Sequence, residues 1–276
     1  MIDYFLRQIV YPTRNPLYQL NTKRIQPERL SRDAQLILAS GIGLATLWWF
    51  AEVAFTDATT SGRYLSALGT LFFGSLALTL AADVFYAIEA VNTIQQETVR
   101  GTWDLLRLSR LPAREIAAAK YAVVQLRVWR VVALEFAIRA AVLTLIVLPS
   151  VRFGFSLALT LTVTGVLLAS LYWLEVWWRA RAIISISLLL ALIFPKPINA
   201  VIVAALCMIG LHSLQGLFLA ICYGALLLML AGEFTLGFLC GMPLCALIAV
   251  GGTLFLCERV TQVALRRFER HINYGV

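Results

Sequence analysis

Charged side chains inside otherwise apolar segments are the residues of this sequence whose types and spacing are suited to chemistry. Glu135 and Arg139 stand four residues apart, so on a helix they share a face and can neutralise each other. Two acidic residues of the preceding apolar segment would face two basic ones if the segments are neighbours: Asp83 and Glu89 against Arg127 and Arg130. Because each charge is costly in lipid, the pattern predicts either an interhelical ion-pair network or a substrate path.

A second group of charged residues lies between two apolar segments, in the stretch from Glu97 to Lys120 that we call the elbow. Asp104 can pair with Arg100 and Arg107 on one stripe of a short amphipathic helix. Pro112 suits the first turn of a following helix, and Glu115 complements the positive end of that helix. The elbow is therefore either a solvated loop that only fixes topology or a surface that docks on a partner.

Catalytic, cofactor and metal patterns do not occur in the sequence. It contains neither a Gly-x-x-x-x-Gly-Lys-Ser/Thr phosphate loop nor a His-Glu-x-x-His motif, so we expect no enzyme activity. The five cysteines lack metal-ligand spacing, and we expect no metal or cofactor. His212 is either a haem or chlorin ligand or a histidine at a helix end near the membrane interface. Four aromatic residues precede Arg179 and Arg181 and predict a membrane-interface belt: Tyr172, Trp173, Trp177 and Trp178.

Composition decides the class of protein that holds these residues. Hydrophobic residues make up 61% of the 276 residues and charged residues 14%, with a mean hydropathy of +0.83, which excludes a soluble domain with a polar surface. Several apolar runs exceed the roughly 20 residues that a helix needs to cross a bilayer. The sequence therefore predicts an all-α, polytopic helical membrane protein.

The distribution of Lys and Arg predicts how the chain crosses the membrane. Most basic residues fall before the first apolar span, in the elbow, around Ala180 and after Cys257, so these regions and both termini are expected to be cytoplasmic. No cleavable signal opens the chain. Spans are predicted near 34–56, 64–92, 120–149 and 153–178, with two more between 182 and 257. The total is six transmembrane helices, with a re-entrant element at about 210–232 before the last one.

The chain divides into a cytoplasmic interfacial segment, residues 1–33, and a single transmembrane domain, residues 34–276, whose coupling loop covers about 95–120. In the first segment, apolar residues recur at helical spacing and predict an amphipathic helix lying on the bilayer surface: Ile2, Phe5, Leu6, Ile9 and Val10. Either this segment only sets topology or it has a docking role of its own.

The elbow resembles the stretch that follows the second helix in permeases of ABC-2 type transporters. The residues that carry the resemblance are Glu97, Gly101, Thr102, Trp103, Asp104, Leu105, Leu106, Leu111, Pro112, Ala113, Arg114, Glu115, Ile116 and Lys120. The sequence departs from the family pattern at Val99, Arg110 and Ala119. The motif covers about 24 residues, and the predicted topology agrees with the family over the whole chain.

The resemblance implies a permease subunit of the cytoplasmic membrane that moves an unidentified substrate. It would work as a homo- or heterodimer with a separate cytoplasmic ATP-binding cassette ATPase, in contact with the lipid bilayer and not with nucleic acid. The coupling helix would bind the ATPase through Glu97, Gly101, Thr102, Asp104, Arg107, Arg114 and Glu115. The alternative is a non-transporting scaffold or accessory subunit of a larger bioenergetic membrane complex that retains the permease fold.

Overall fold

Helices account for all the secondary structure that the computed structural model of the protein describes, in residues 17, 19, 27–55, 61–108, 111–150, 155–231 and 235–274. The all-α prediction is confirmed for these residues. Ile2 to Val10 lie outside them. In chain order the helices are α1 (Pro27–Phe55), α2 (Ser61–Val99), α3 (Thr102–Leu108), α4 (Ala113–Ser150), α5 (Phe155–Ile193), α6 (Pro197–Ala231) and α7 (Thr235–Tyr274).

Three of these helices contain segments long and apolar enough to cross a membrane, among the residues that the structure describes. They are Phe73–Val99 in α2, Tyr172–Ile193 in α5 and Pro197–Leu214 in α6. At 1.5 Å of rise per residue, the six long helices reach about 44 Å or more, which exceeds the roughly 30 Å hydrocarbon layer. Helices of this length and composition indicate a membrane protein.

The bundle is built around α5, which packs against α2, α4, α6 and α7. Helix α1 packs along α4, and α3 rests on the end of α2. Aromatic side chains join α4 to α5: the rings of Trp129 and Trp177 meet edge to face with centroids 5.8 Å apart, and those of Phe136 and Trp173 are 4.8 Å apart. The predicted interface belt is therefore corrected at Trp173 and Trp177, which pack between helices because α4 supplies them with aromatic partners.

Two predicted breaks in the chain are absent from the backbone. Helix α5 continues through Trp178 and Arg181, where the fourth span was expected to end, and α6 is unbroken from Pro197 to Ala231, where a re-entrant element was expected. The basic residues at 179 and 181 find partners inside the bundle, so the helix has no need to end there. A helix of 35 residues likewise leaves no room for the chain of α6 to turn back on itself.

The turn between α5 and α6 lies instead at Phe194 to Lys196. Pro197 occupies the first turn of α6, where its missing N–H costs nothing. The side-chain amide of Gln95 in α2 donates hydrogen bonds to the carbonyls of Ala191 and Phe194, at 3.3 and 3.2 Å. The turn, with its exposed Lys196, therefore lies at the same end of the bundle as the elbow.

Close packing of α1 on α4 depends on Gly41. A Cβ at this position would lie 2.9 Å from the carbonyl oxygen of Ala137, whereas a Cβ at Gly43 would meet nothing within 4 Å. We expect Gly41→Leu to lower the free energy of unfolding by about 1–3 kcal/mol through overpacking. Thermal unfolding in detergent measures this effect, with Gly43→Leu as the control. Equal loss of stability in both variants would contradict the close contact.

Candidate functional site: a buried ionic network and the elbow

Four charged residues of α4 and α5 form a crossed quartet, which consists of Glu135, Arg139, Glu175 and Arg179. Each helix carries Glu and Arg four residues apart, and the helices run in opposite directions, so each Glu lies level with the Arg of the other helix. Arg179 Nη2 lies 2.6 Å from Glu135 Oε1, and Arg139 Nη1 lies 2.6 Å from Glu175 Oε2. The quartet is electrically neutral and joins α4 to α5.

Helices α2 and α6 add one residue each to the quartet. Arg179 Nη1 also donates to Asp83 of α2, and both side chains are fully buried. Oδ2 of Asp83 lies 2.7 Å from Nε2 of His212 in α6. The guanidinium group of Arg179 therefore binds carboxylates from two other helices, and its Nε lies 3.5 Å from Glu175 Oε1 of its own helix. Four helices meet through what we call the ionic network: the quartet with Asp83 and His212.

Neutral side chains satisfy further polar atoms of the network. The Tyr86 hydroxyl donates to Glu135 Oε2 at 2.6 Å, and Arg139 Nη2 donates to Thr79 Oγ1 at 3.2 Å. Arg139 also donates to the carbonyl of Tyr172 and lies 4.4 Å from the centroid of that ring. This arrangement compensates buried charges in the way that low-dielectric interiors require.

The chemistry of the network is that of ion pairing. Two guanidinium groups stand among its carboxylates and repel a metal cation. Among the residues that the structure describes, no group of three or more His, Cys, Asp or Glu side chains is arranged to hold a metal ion. The haem or chlorin ligand considered for His212 has no support here, because Asp83 occupies its Nε2.

At the end of the bundle, the elbow is braced by one buried ion pair. Lys120 Nζ of α4 lies 2.5 Å from Glu97 Oε1 of α2, and the lysine side chain is only 2% exposed. Thr102 Oγ1 donates to Glu97 Oε2 at 2.5 Å. Gly101, with φ of +69°, makes the left-handed turn that lets α3 fold back after α2. Glu97, Gly101 and Thr102 thus shape the elbow from within.

The outer face of the elbow combines apolar and charged side chains. Trp103 is buried, and Leu106 and Leu111 pack against the core, which fixes α3 to the bundle. Leu105 and Leu108 point outward with 67% and 82% of their surface exposed. The charged residues Asp104, Arg114 and Glu115 are also exposed, while the Arg107 side chain lies outside the described part of the chain.

Several expected ion pairs have different partners in the structure. The predicted approach of Arg127 to Glu89 is present as a 3.9 Å ion pair. Arg130 instead reaches Asp33 of α1 at 3.0 Å, because α1 packs along α4 on that side. Asp83 binds Arg179, not the α4 arginines. The expected pair within α4 is also corrected: Glu135 and Arg139 each bind a residue of α5.

Three members of the ionic network escaped sequence reasoning: Glu175, Arg179 and His212. The signal was present, because Glu175 and Arg179 repeat the four-residue spacing of Glu135 and Arg139 in the next apolar segment. Two such pairs on antiparallel neighbours predict a crossed quartet. The sequence predicts a cytoplasmic boundary at both Arg179 and Arg181, whereas in the structure Arg181 pairs with Glu258 of α7 at 3.5 Å and Arg179 is fully buried.

Comparison with known proteins finds no matching family model, no matching curated protein and no matching solved structure. The functional interpretation therefore depends on the site alone.

Proposed function

We propose that the protein is the membrane-spanning permease subunit of an ABC-2 type transporter. In this proposal α1, α2, α4, α5, α6 and α7 are six transmembrane helices of a cytoplasmic membrane, with both termini and the elbow in the cytoplasm. The positions of basic residues support this orientation, since those of the elbow and of the end of α7 would lie on one side.

The observation that carries the proposal is the outer face of the elbow. Leu105 and Leu108 are highly exposed beside Asp104, at an end of the bundle where the charged residues argue against lipid. A helix that is fixed from within by Trp103 and by the Glu97–Lys120 pair, and that presents apolar and charged residues outward, suits a rigid docking surface. The resemblance of the elbow to ABC-2 permeases suggests a separate cytoplasmic ATPase as the docking partner, and it would bind the ATP for which this sequence has no phosphate loop.

The elbow is also joined rigidly to the middle of the bundle. Helix α4 is unbroken from Ala113, and Glu135 stands 22 residues further on, which corresponds to about 33 Å of helix. Movement of the elbow when the ATPase closes on ATP would tilt α4 against α5, where the crossed quartet lies. Such rigid-body tilting would alternate access for a substrate that remains unidentified.

Charge and shape changes on the elbow test this function. We expect Asp104→Lys with Leu105→Glu to weaken ATPase binding by about tenfold or more, since a docking face loses its apolar contact and its charge match. The measurement is affinity for an ATP-binding cassette ATPase that copurifies with the native chain, together with ATP hydrolysis by the reconstituted complex. Glu269→Lys is the control, because it reverses a charge on a different helix, α7, at the same end of the bundle.

Retention of both ATPase binding and ATP hydrolysis in the double variant would contradict the docking assignment. Copurification of the native chain with a redox or pigment complex, and with no ATPase, would instead support the scaffold alternative.

A further inference from the structure

We propose that Asp83 and His212 form a buried proton-binding site that holds α6 against α2. The charges of the ionic network carry this proposal. The crossed quartet balances two guanidinium groups with two carboxylates, and Asp83 adds a third carboxylate that is 0% exposed. One negative charge is left over, and an unbalanced charge is expensive in a low-dielectric interior. A proton on His212 neutralises it, because Nε2 lies 2.7 Å from Asp83 Oδ2.

Every helix packed around the pair contributes groups that bear on this proton. Helix α2 adds Tyr86, which donates to Glu135 and not to Asp83. Helices α4 and α5 add the quartet, whose Arg179 binds Asp83 directly. Helix α7 adds Cys257, which lies near Arg179 and packs in one cluster with Leu211, the neighbour of His212. These groups leave His212 as the cationic partner on the α6 side of Asp83.

The geometry favours a proton over a metal cation. Arg179 already occupies one side of Asp83, and a metal ion would have to approach between that guanidinium and the imidazole. A proton needs no such space and is carried by the imidazole itself. The His212 side chain is 25% exposed and reaches the surface of the bundle, whereas Asp83 is fully buried.

The expected consequence is a contact between α6 and the bundle that weakens as pH rises. When the proton leaves, neutral imidazole still reaches Asp83, but the ionic network, with its three carboxylates ionised, then carries one surplus negative charge. Protonation of His212 would therefore be linked to the packing of α6 against α2 and α5. The inference does not depend on the proposed function, because it concerns charges inside the bundle and not the docking face of the elbow.

The direct test observes the imidazole of His212 in the intact chain. His212 and His271 are the two histidines, so His271→Asn leaves His212 as the only one. After ¹⁵N-histidine labelling and reconstitution in lipid nanodiscs, we expect the imidazolium form at pH about 7.5, above the ordinary range of histidine. Adding Asp83→Asn should convert the signal to neutral imidazole at the same pH. That variant leaves the quartet neutral and is expected to fold.

Neutral imidazole at this pH with Asp83 intact would overturn the proposal, and so would an imidazolium signal that Asp83→Asn does not change. A further outcome concerns the salt. If the imidazolium signal is present in choline chloride but disappears when sodium chloride replaces it at the same ionic strength, the site binds a metal cation and not a proton.

A second measurement decides the question should Asp83→Asn fail to fold. Release of one proton changes the unfolding equilibrium constant by up to about tenfold per pH unit. We expect the folded protein to lose stability with rising pH in this way, and the loss to disappear in His212→Gln, with His271→Gln as the control that keeps it. Equal pH dependence in the native chain and in His212→Gln would overturn the proposal.

Discussion

Arg179→Met is expected to lower the free energy of unfolding by about 3–5 kcal/mol, the cost of removing one partner of a buried ionic cluster. Arg179 is fully buried and binds both Asp83 and Glu135. Methionine fills a similar volume but leaves these two carboxylates without their shared cation. The expected phenotype is poor recovery from the membrane and a large drop in the thermal unfolding temperature in detergent.

Arg181→Met is the matched control for this variant. Arg181 stands two residues further along the same helix, but it is 25% exposed and its partner Glu258 is 34% exposed. The bundle encloses this pair only in part, so removing Arg181 leaves a less buried carboxylate than removing Arg179 does, and a smaller loss is expected. Equal loss in the two variants would contradict the special position of Arg179.

Neutralising the two carboxylates that lose their cation should restore stability to the Arg179→Met variant. Combining Arg179→Met with Asp83→Asn and Glu135→Gln also neutralises the two carboxylates that bind the guanidinium group. Replacement of a buried ionic cluster as a unit is often tolerated. We expect the triple variant to recover a large part of the lost stability. Failure of the rescue would show that packing, and not charge, dominates at Arg179.

Lys120→Met is expected to loosen the elbow, with a loss of about 1–3 kcal/mol for the half-buried Glu97 that it leaves without its cation. Trypsin digestion of the protein in detergent measures the local effect, because the elbow offers cleavage sites at Arg100 and Arg114. We expect faster cleavage there and a lower unfolding temperature. Arg114→Met is the control for stability, since that side chain is exposed on the same helix.

A double-mutant cycle separates the ion pair from other effects of the substitution. Glu97→Gln with Lys120→Met removes both charges, and its stability compared with the single variants gives the coupling between them. Contacting residues in one ion pair typically show coupling of about 0.5–3 kcal/mol. Unchanged cleavage in Lys120→Met, or no coupling in the cycle, would show that the Glu97–Lys120 ion pair does not stabilise the elbow.

The elbow shows how far local patterns reach in this chain. Pro112 and the spacing of charged residues around Asp104 place a short helix before the proline and a long helix after it, and α3 and α4 occur there. The expected stripe of Arg100 with Asp104 on one helix is wrong, because the left-handed turn at Gly101 ends α2 before α3 begins at Thr102.

Helix continuity was harder to anticipate. A pair of basic residues at 179 and 181 indicates a helix end at a membrane boundary, because an isolated charge in lipid is costly. The cost of a charge in lipid falls when an opposite charge binds it. The carboxylates that bind Arg179, Glu135 and Asp83, lie 44 and 96 positions away in the chain. The four-residue spacing of Glu175 and Arg179 was visible, but its meaning required the neighbouring helix.

Composition and the spacing of residues within one helix are sufficient to predict a helical chain that is apolar enough for a membrane, with charges in an elbow and inside the apolar segments. Which charges meet depends on how the helices pack. Antiparallel packing brings Glu135 level with Arg179, and Asp83 is joined to His212 across helices that are distant in sequence. Contacts between helices depend on how the helices are rotated and aligned, which no single segment encodes.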